Sequence, residues 1–256
     1  MKHTPIILAA FGTTSRAIKT YQAMDEAIKE AFPGHPVLWA YTSRMVRDHL
    51  KKKKDMVLST PQQALDNLAD DGYQWAVMQS LHLICGHEFY RLVDDIRDCN
   101  VRASMGLPLL TSPEDYQSVA HALIHAYGED NNGTATVFVG HGTDHPAWAT
   151  YPALARLVEK TNPAMYVGTV EEGEDDREAI LTDILNKGYS HIRLVPLMLV
   201  AGVHLKEDIA GDTDSWKSLF HDHGLDVSYE STGMGQSQAI LEIFISHIKD
   251  ALSLVP

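Results

Sequence analysis

The chain has 256 residues, 45% of them hydrophobic and 21% charged, which excludes an intrinsically disordered protein and suits one large domain or two small ones. Acidic residues outnumber basic ones 34 to 21, for a formal net charge of −13, so sequence-independent nucleic-acid binding and attachment to an anionic membrane surface are not expected. Cys85 and Cys99 are too few for a disulfide framework or a four-thiolate zinc site, whereas 14 histidines keep metal and acid–base chemistry in view.

The first apolar run, 6–11, follows Pro5 and leads into Gly12-Thr13-Thr14-Ser15-Arg16. It is too short for a leader and reads as a buried strand. No stretch approaches the roughly 18 apolar residues of a membrane span, so a cytoplasmic protein is expected. Further strands are expected at 37–41, 75–83, 136–139, 166–170 and 192–200. Helical patterns lie between them at 16–31, 61–71, 88–98, 113–126 and 175–186. Strands alternating with helices predict βαβ units and parallel sheets, an α/β fold.

The chain also repeats itself. Leu65, Gly72-Tyr73, Leu83 and Gly86 have counterparts, all at one offset, in Leu181, Gly188-Tyr189, Leu199 and Gly202. Earlier in each half, Phe11-Gly12-Thr13 matches His141-Gly142-Thr143. The expectation is two similar α/β lobes, 1–128 and 133–256, divided at the polar, turn-forming run 128–133. Open α/β sheets bind ligands beyond the carboxyl ends of their strands, and two such lobes would enclose a cleft.

In the second lobe, strand ends carry metal-competent or proton-transferring side chains: His141 between two glycines, Glu171 followed by Glu172, and His204 after Gly202. Two imidazoles and a carboxylate suit a divalent first-row metal. By the internal offsets, His141 corresponds to Phe11, Glu171 falls near Ser43, and His204 corresponds to Glu88. That asymmetry predicts one metal site, and a Phe in place of the imidazole suits a flat, apolar ligand. The Thr13–Arg16 turn opens a helix, where exposed N–H groups and hydroxyls attract an anion or simply cap the helix. It lacks the lysine and spacing of a phosphate-binding loop, so no nucleotide is expected. Lysines 51–54 read as a solvated helix face and His82 as a hydrogen-bonded core residue. His87 beside Glu88 offers a spare metal contact. No nucleophile elbow is present.

Taken in order, Phe11-Gly-Thr13, Ala40-Tyr-Thr-Ser43, Gln79-Ser-Leu-His82, Gly106-Leu-Pro-Leu-Leu110, Gly140-His-Gly142, Val195-Pro-Leu-Met-Leu-Val-Ala-Gly202 and Asp214-Ser-Trp-Lys217 resemble the anaerobic cobalt chelatases, the sirohydrochlorin cobaltochelatases of the CbiK type. The resemblance spans nearly the whole chain. It implies a chelatase-like fold, with a tetrapyrrole held between two similar lobes. It also implies insertion of Co²⁺, as substrate metal, into sirohydrochlorin for cobalamin synthesis without ATP. Fe²⁺ and Ni²⁺ are alternative metals in vitro. The metal and catalytic positions it implies are His141, Glu171 and His204, the trio already singled out, with Glu88 as an acidic residue beside the cleft.

Metallation releases two pyrrole N–H protons, and a neutral imidazole can accept one near neutral pH. His141 is the leading proton acceptor and metal ligand in this reading. The macrocycle's carboxylates require local donors in an acidic chain; Thr13, Thr14, Ser43, Arg44 and Arg47 are the candidates, beside Phe11 and Glu88. Competing readings are the same chemistry with Fe²⁺ for sirohaem, and a haem or metal carrier without turnover. A homo-oligomer is compatible with the composition, though no segment identifies an interface.

Overall fold

In the computed structural model, the described residues are 2–13, 18–54, 57–128, 133–171, 174–202 and 204–256. The chain forms two compact units, one of Met1–Thr111 with Ile240–Pro256, the other of Ser112–Ala239. The sequence places the boundary one helix later, at 128–133. Helix α5 (Pro113–Tyr127) instead belongs with the second unit: Tyr116 Oη donates to Thr150 Oγ1 at 3.1 Å, and Asn162 Nδ2 to the Gly128 carbonyl at 3.4 Å. The last helix, α9 (Gln238–Ser253), returns to the first unit, where the Ala251 carbonyl accepts from Ser104 Oγ at 2.8 Å.

The first unit is built on β1 (Ile6–Ala10), β2 (Val37–Tyr41), β3 (Trp75–Ser80) and β4 (Arg102–Gly106), all parallel, in the order β2-β1-β3-β4. Its helices are α1 (Ile18–Ala31), α2 (Arg44–Lys54), α3 (Pro61–Asp70), α4 (His87–Arg97) and most of α9. Every residue of β1 is buried, as a central strand covered on both faces requires. Thr60 and Gln63 form a reciprocal capping box at the start of α3, with Pro61 in the first turn. Lys51, Lys52 and Lys53 sit exposed on α2, the solvated face expected of them.

The second unit repeats the plan with β5 (Thr134–Gly140), β6 (Met165–Thr169), β7 (His191–Pro196) and β8 (Asp226–Tyr229) in the order β6-β5-β7-β8, again parallel. Helices α5, α6 (Thr150–Thr161), α7 (Glu174–Asn186) and α8 (Trp216–Asp222) flank it. The Asp214-Ser-Trp-Lys217 motif is structural. Ser215 is fully buried and caps α8, donating from Oγ to the Gly211 carbonyl at 2.7 Å. Trp216, also fully buried, lies so close to Gly168 of β6 that a Cβ there would come within 2.5 Å of the ring. Its Nε1–H reaches the Thr169 carbonyl at 3.3 Å, fixing the end of β6 just before Glu171.

The equivalence of the units extends to single hydrogen bonds. Ser43 N–H donates to the Phe11 carbonyl at 3.2 Å, and Glu171 N–H to the His141 carbonyl at 2.8 Å. Gly12 N–H donates to Tyr21 Oη and Gly142 N–H to Tyr151 Oη, both at 3.3 Å. Gly12 and Gly142 both take positive φ, 103° and 87°.

Candidate active site

The site candidates of the second unit gather beyond the carboxyl edge of its sheet, where β5 and β6 end and the segment after β7 arrives. The two glycines around His141 serve different needs. Gly140 is small because the Tyr151 ring lies against it: a Cβ would fall 2.3 Å from Cε1. Gly142 turns the chain in the left-handed region and abuts Glu171, whose carbonyl oxygen would lie 2.1 Å from a Cβ. The Glu171 carbonyl is itself held by Thr169 Oγ1 at 3.0 Å.

This close approach brings the side chains together. His141 Nδ1 lies 3.2 Å from the Gly142 carbonyl and 3.5 Å from Glu171 Oε2. Both neighbours are acceptors, so the neutral ring carries its proton on Nδ1 and keeps the lone pair on Nε2. The His204 ring stands edge-on to it, with centroids 4.5 Å apart and planes at 81°. His204 Nδ1 faces Asp208 Oδ2 at 2.7 Å, which in the neutral ring puts the proton on Nδ1 and the lone pair on Nε2. The side chains of His141 and His204 are 44% and 39% exposed, open enough for an incoming ion to reach either ring.

His204 is not at a strand end as expected. β7 stops at Pro196, and the apolar run continues as buried loop, with Leu197 N–H on the Val139 carbonyl at 2.8 Å. The loop is braced where Met234 and Gly235 N–H groups donate to the Met198 and Leu199 carbonyls at 2.8 and 3.0 Å. His204 then caps a five-residue π-helix, Leu205–Ile209, whose wide turn carries Asp208 to its imidazole. Glu172 lies outside the described residues. The trio therefore meets as an open row: among the described residues, no three His, Cys, Asp or Glu side chains form a ready metal cage.

The first unit's candidates lie at the matching edge of their own sheet. Phe11 is 46% exposed after β1, and Thr13 is buried; Thr14 lies outside the described residues. Ser43 is buried, its Oγ accepting from Val46 N–H at 3.4 Å as α2 begins. Arg44 is exposed, its Nε 3.6 Å from Asp48. Arg47 turns inward and donates to the Tyr41 and Thr42 carbonyls, so its guanidinium braces the β2–α2 turn rather than awaiting a carboxylate. Glu88, in the first turn of α4, pairs through Oε1 with Arg91 at 2.6 Å, while its Oε2 is shielded from solvent without a protein partner. His87 is exposed beside it.

His82 is hydrogen-bonded, as expected, but through one ring nitrogen only. Nδ1 bonds Ser80 Oγ at 2.9 Å, but Nε2 is shielded and has no partner. Burial pulls its pKa down to about 4, with the nearby Glu88 charge opposing. Sequence reasoning missed Asp208 and Tyr151. Each had a signal: Asp208 lies four residues after His204, and Tyr151 stands to Tyr21 at the spacing of His141 to Phe11.

Two parallel α/β units with imidazoles and a carboxylate beyond the strands of one define a chelatase-like protein, and solved structures agree. SirB from Bacillus subtilis subspecies spizizenii, a sirohydrochlorin chelatase crystallised with cobalt, superposes with a TM-score of 0.66 at 15% identity over 98% of this chain and 96% of that one. CbiX, described as the terminal enzyme of sirohaem synthesis in denitrifying bacteria, gives 0.57 at 15% identity, covering 96% of this chain and 99% of that one. The family model of the cobalt chelatases, CbiK, matches residues 4–253, and the chain belongs to that family. It is 37% identical to the sirohydrochlorin cobaltochelatase CbiKC of Nitratidesulfovibrio vulgaris, over 97% of this chain and 90% of that protein. With the sirohydrochlorin cobaltochelatase of Salmonella typhimurium it shares 32%, over 97% and 96%. Among the described residues, no helix is long and apolar enough to cross a membrane.

Proposed function

We propose that this chain inserts Co²⁺ into sirohydrochlorin, forming cobalt-sirohydrochlorin and releasing two protons without change of oxidation state. The two cobaltochelatases with which it aligns nearly end to end support the reaction. For the residues, the observation that carries the reading is the paired imidazoles, 4.5 Å apart, each with Nδ1 held by an acceptor.

Both rings then offer Nε2 to the ion, with Glu171 as the neutralising carboxylate. Two imidazoles in an open row hold Co²⁺ while leaving its other positions to water and, in turn, to ring nitrogens. As a pyrrole nitrogen displaces Nε2 of His141, the freed lone pair takes that pyrrole's proton. The Nδ1 proton of His141 faces Glu171 Oε2, which provides an exit toward solvent. Metal transfer and proton removal thus use the same nitrogen in sequence. Phe11, Thr13, Thr14, Ser43, Arg44 and Glu88 are proposed to hold the macrocycle, Phe11 against its apolar face and the donors at its carboxylates. No nucleotide enters the scheme.

The test is anaerobic metallation followed by absorbance, with Co²⁺ and Fe²⁺ in parallel, using wild type and His141→Ala. Turnover beyond one equivalent, lost in the variant, supports the assignment, and relative rates identify the preferred metal. A spectrum that shifts only to one equivalent would make the protein a carrier. Full activity in His141→Ala would overturn the role of that imidazole.

A further inference from the structure

The peptide between His141 and Gly142 is pinned at both ends. Its carbonyl accepts from Glu171 N–H at 2.8 Å, and its N–H donates to Tyr151 Oη at 3.3 Å. That peptide sets the direction in which the His141 side chain leaves the backbone, and it ties His141 to Glu171. We propose that Tyr151 is a positioning residue for metal delivery: its hydroxyl aims His141 by holding this peptide, without touching the metal or the macrocycle. The inference rests on the reading that His141 is a metal ligand.

Two observations carry it. The Tyr151 ring is buried on α6, so the hydroxyl is delivered from a rigid element. Gly140 gives up its Cβ to let that ring lie against the strand end, whereas the equivalent position in the first unit keeps a Cβ in Ala10. The closer fit thus occurs in the unit that carries the imidazole.

The molecule supplies its own control. Tyr21 Oη accepts from Gly12 N–H at the same 3.3 Å, and there the residue before the glycine is Phe11, which binds no metal. Tyr151→Phe and Tyr21→Phe remove the same hydrogen bond from equivalent places, at similar structural cost. Only the first should change metal handling.

The experiment is steady-state insertion at saturating sirohydrochlorin with varied Co²⁺, for wild type, Tyr151→Phe, Tyr21→Phe and His141→Ala, with melting temperatures in parallel. Tyr151→Phe should raise KM for Co²⁺ or lower kcat about tenfold, the low end of losses seen when the partner holding a metal ligand is removed. Tyr21→Phe should leave KM for Co²⁺ within twofold while losing a similar amount of melting temperature. Equal Co²⁺ parameters in both phenylalanine variants, whether unchanged or equally impaired, would overturn the proposal. Full activity in His141→Ala would instead remove the reading beneath it, so the two failures are distinguishable.

Discussion

Asp208 reaches back one turn of π-helix to place a carboxylate oxygen 2.7 Å from Nδ1 of His204. If His204 ligates the metal as proposed, the pair would make it a stronger ligand and a fixed one, because the carboxylate sets both the tautomer and the ring plane. Asp208→Asn preserves the shape but offers an amide where the imidazole needs an acceptor that cannot turn into a donor. Co²⁺ binding, or KM for Co²⁺ where binding is transient, should weaken by about 10- to 100-fold, with sirohydrochlorin KM little changed. Equal loss on both substrates would show that Asp208 supports the local fold and not the ligand.

The glycine after His141 allows a comparison with another of the same backbone conformation. Gly142 and Gly188 have φ of 87° and 75°, but a Cβ at Gly188 meets nothing within 4 Å. Gly188→Ala should cost only the left-handed backbone penalty, about 1–2 kcal/mol. Gly142→Ala adds a collision with the Glu171 backbone and should cost roughly 3 kcal/mol or more, with loss of insertion activity. Urea denaturation of the two variants measures the difference; equal losses would mean that the Glu171 segment yields freely.

His82 links stability to pH. Its pKa in the fold is about 4 against an ordinary 6.5, so between these values the unfolded chain binds a proton that the folded chain refuses. The neutral ring's contribution is complete above pH 6.5 and is lost as the pH falls toward 4, on the order of 2–3 kcal/mol. Unfolding free energies of wild type and His82→Gln at pH 7.5, 6 and 4.5 should therefore converge as the pH falls. A constant gap would show that His82 does not titrate differently in the two states.

The central strands could be read from sequence because burial on both faces writes them as continuous apolar runs. Of the edge strands, β2 and β6 are legible as the runs at 37–41 and 166–170, whereas β4 and β8 are not. β4 alternates Arg102, Ser104 and Gly106 with Ala103 and Met105, and β8 is four residues of mixed character, since an edge strand answers to solvent on one side. The runs 75–83 and 192–200 overshoot β3 and β7 for the opposite reason: Leu81 and Leu197 are buried in loops, and an apolar run reports burial, not backbone conformation. At the site, the offsets pairing Phe11 with His141 and Ser43 with Glu171 reappear as two equivalent backbone hydrogen bonds. Asp208 is marked in the sequence only by its place four residues after His204, and that spacing gains meaning only once the segment is seen to turn as a π-helix. Tyr151 is hidden because a tyrosine in an apolar helix reads as core; its hydroxyl gains meaning only once Gly142 has turned its N–H inward.

The return of α9 to the first unit has a consequence for how the molecule is made. The second unit is one unbroken stretch, and its sheet and flanking helices are all synthesised before α9. The first unit, begun earlier, waits until the end: Ile240, Phe244 and Ile248 arrive last to be buried, and Ser104 on β4 finds the Ala251 carbonyl only then. The usual order, in which the amino-terminal unit is finished first, is inverted. The half bearing His141 and His204 has its full complement of residues first, while the nascent β4 still lacks its covering helix, a sticky interval for chaperones to guard.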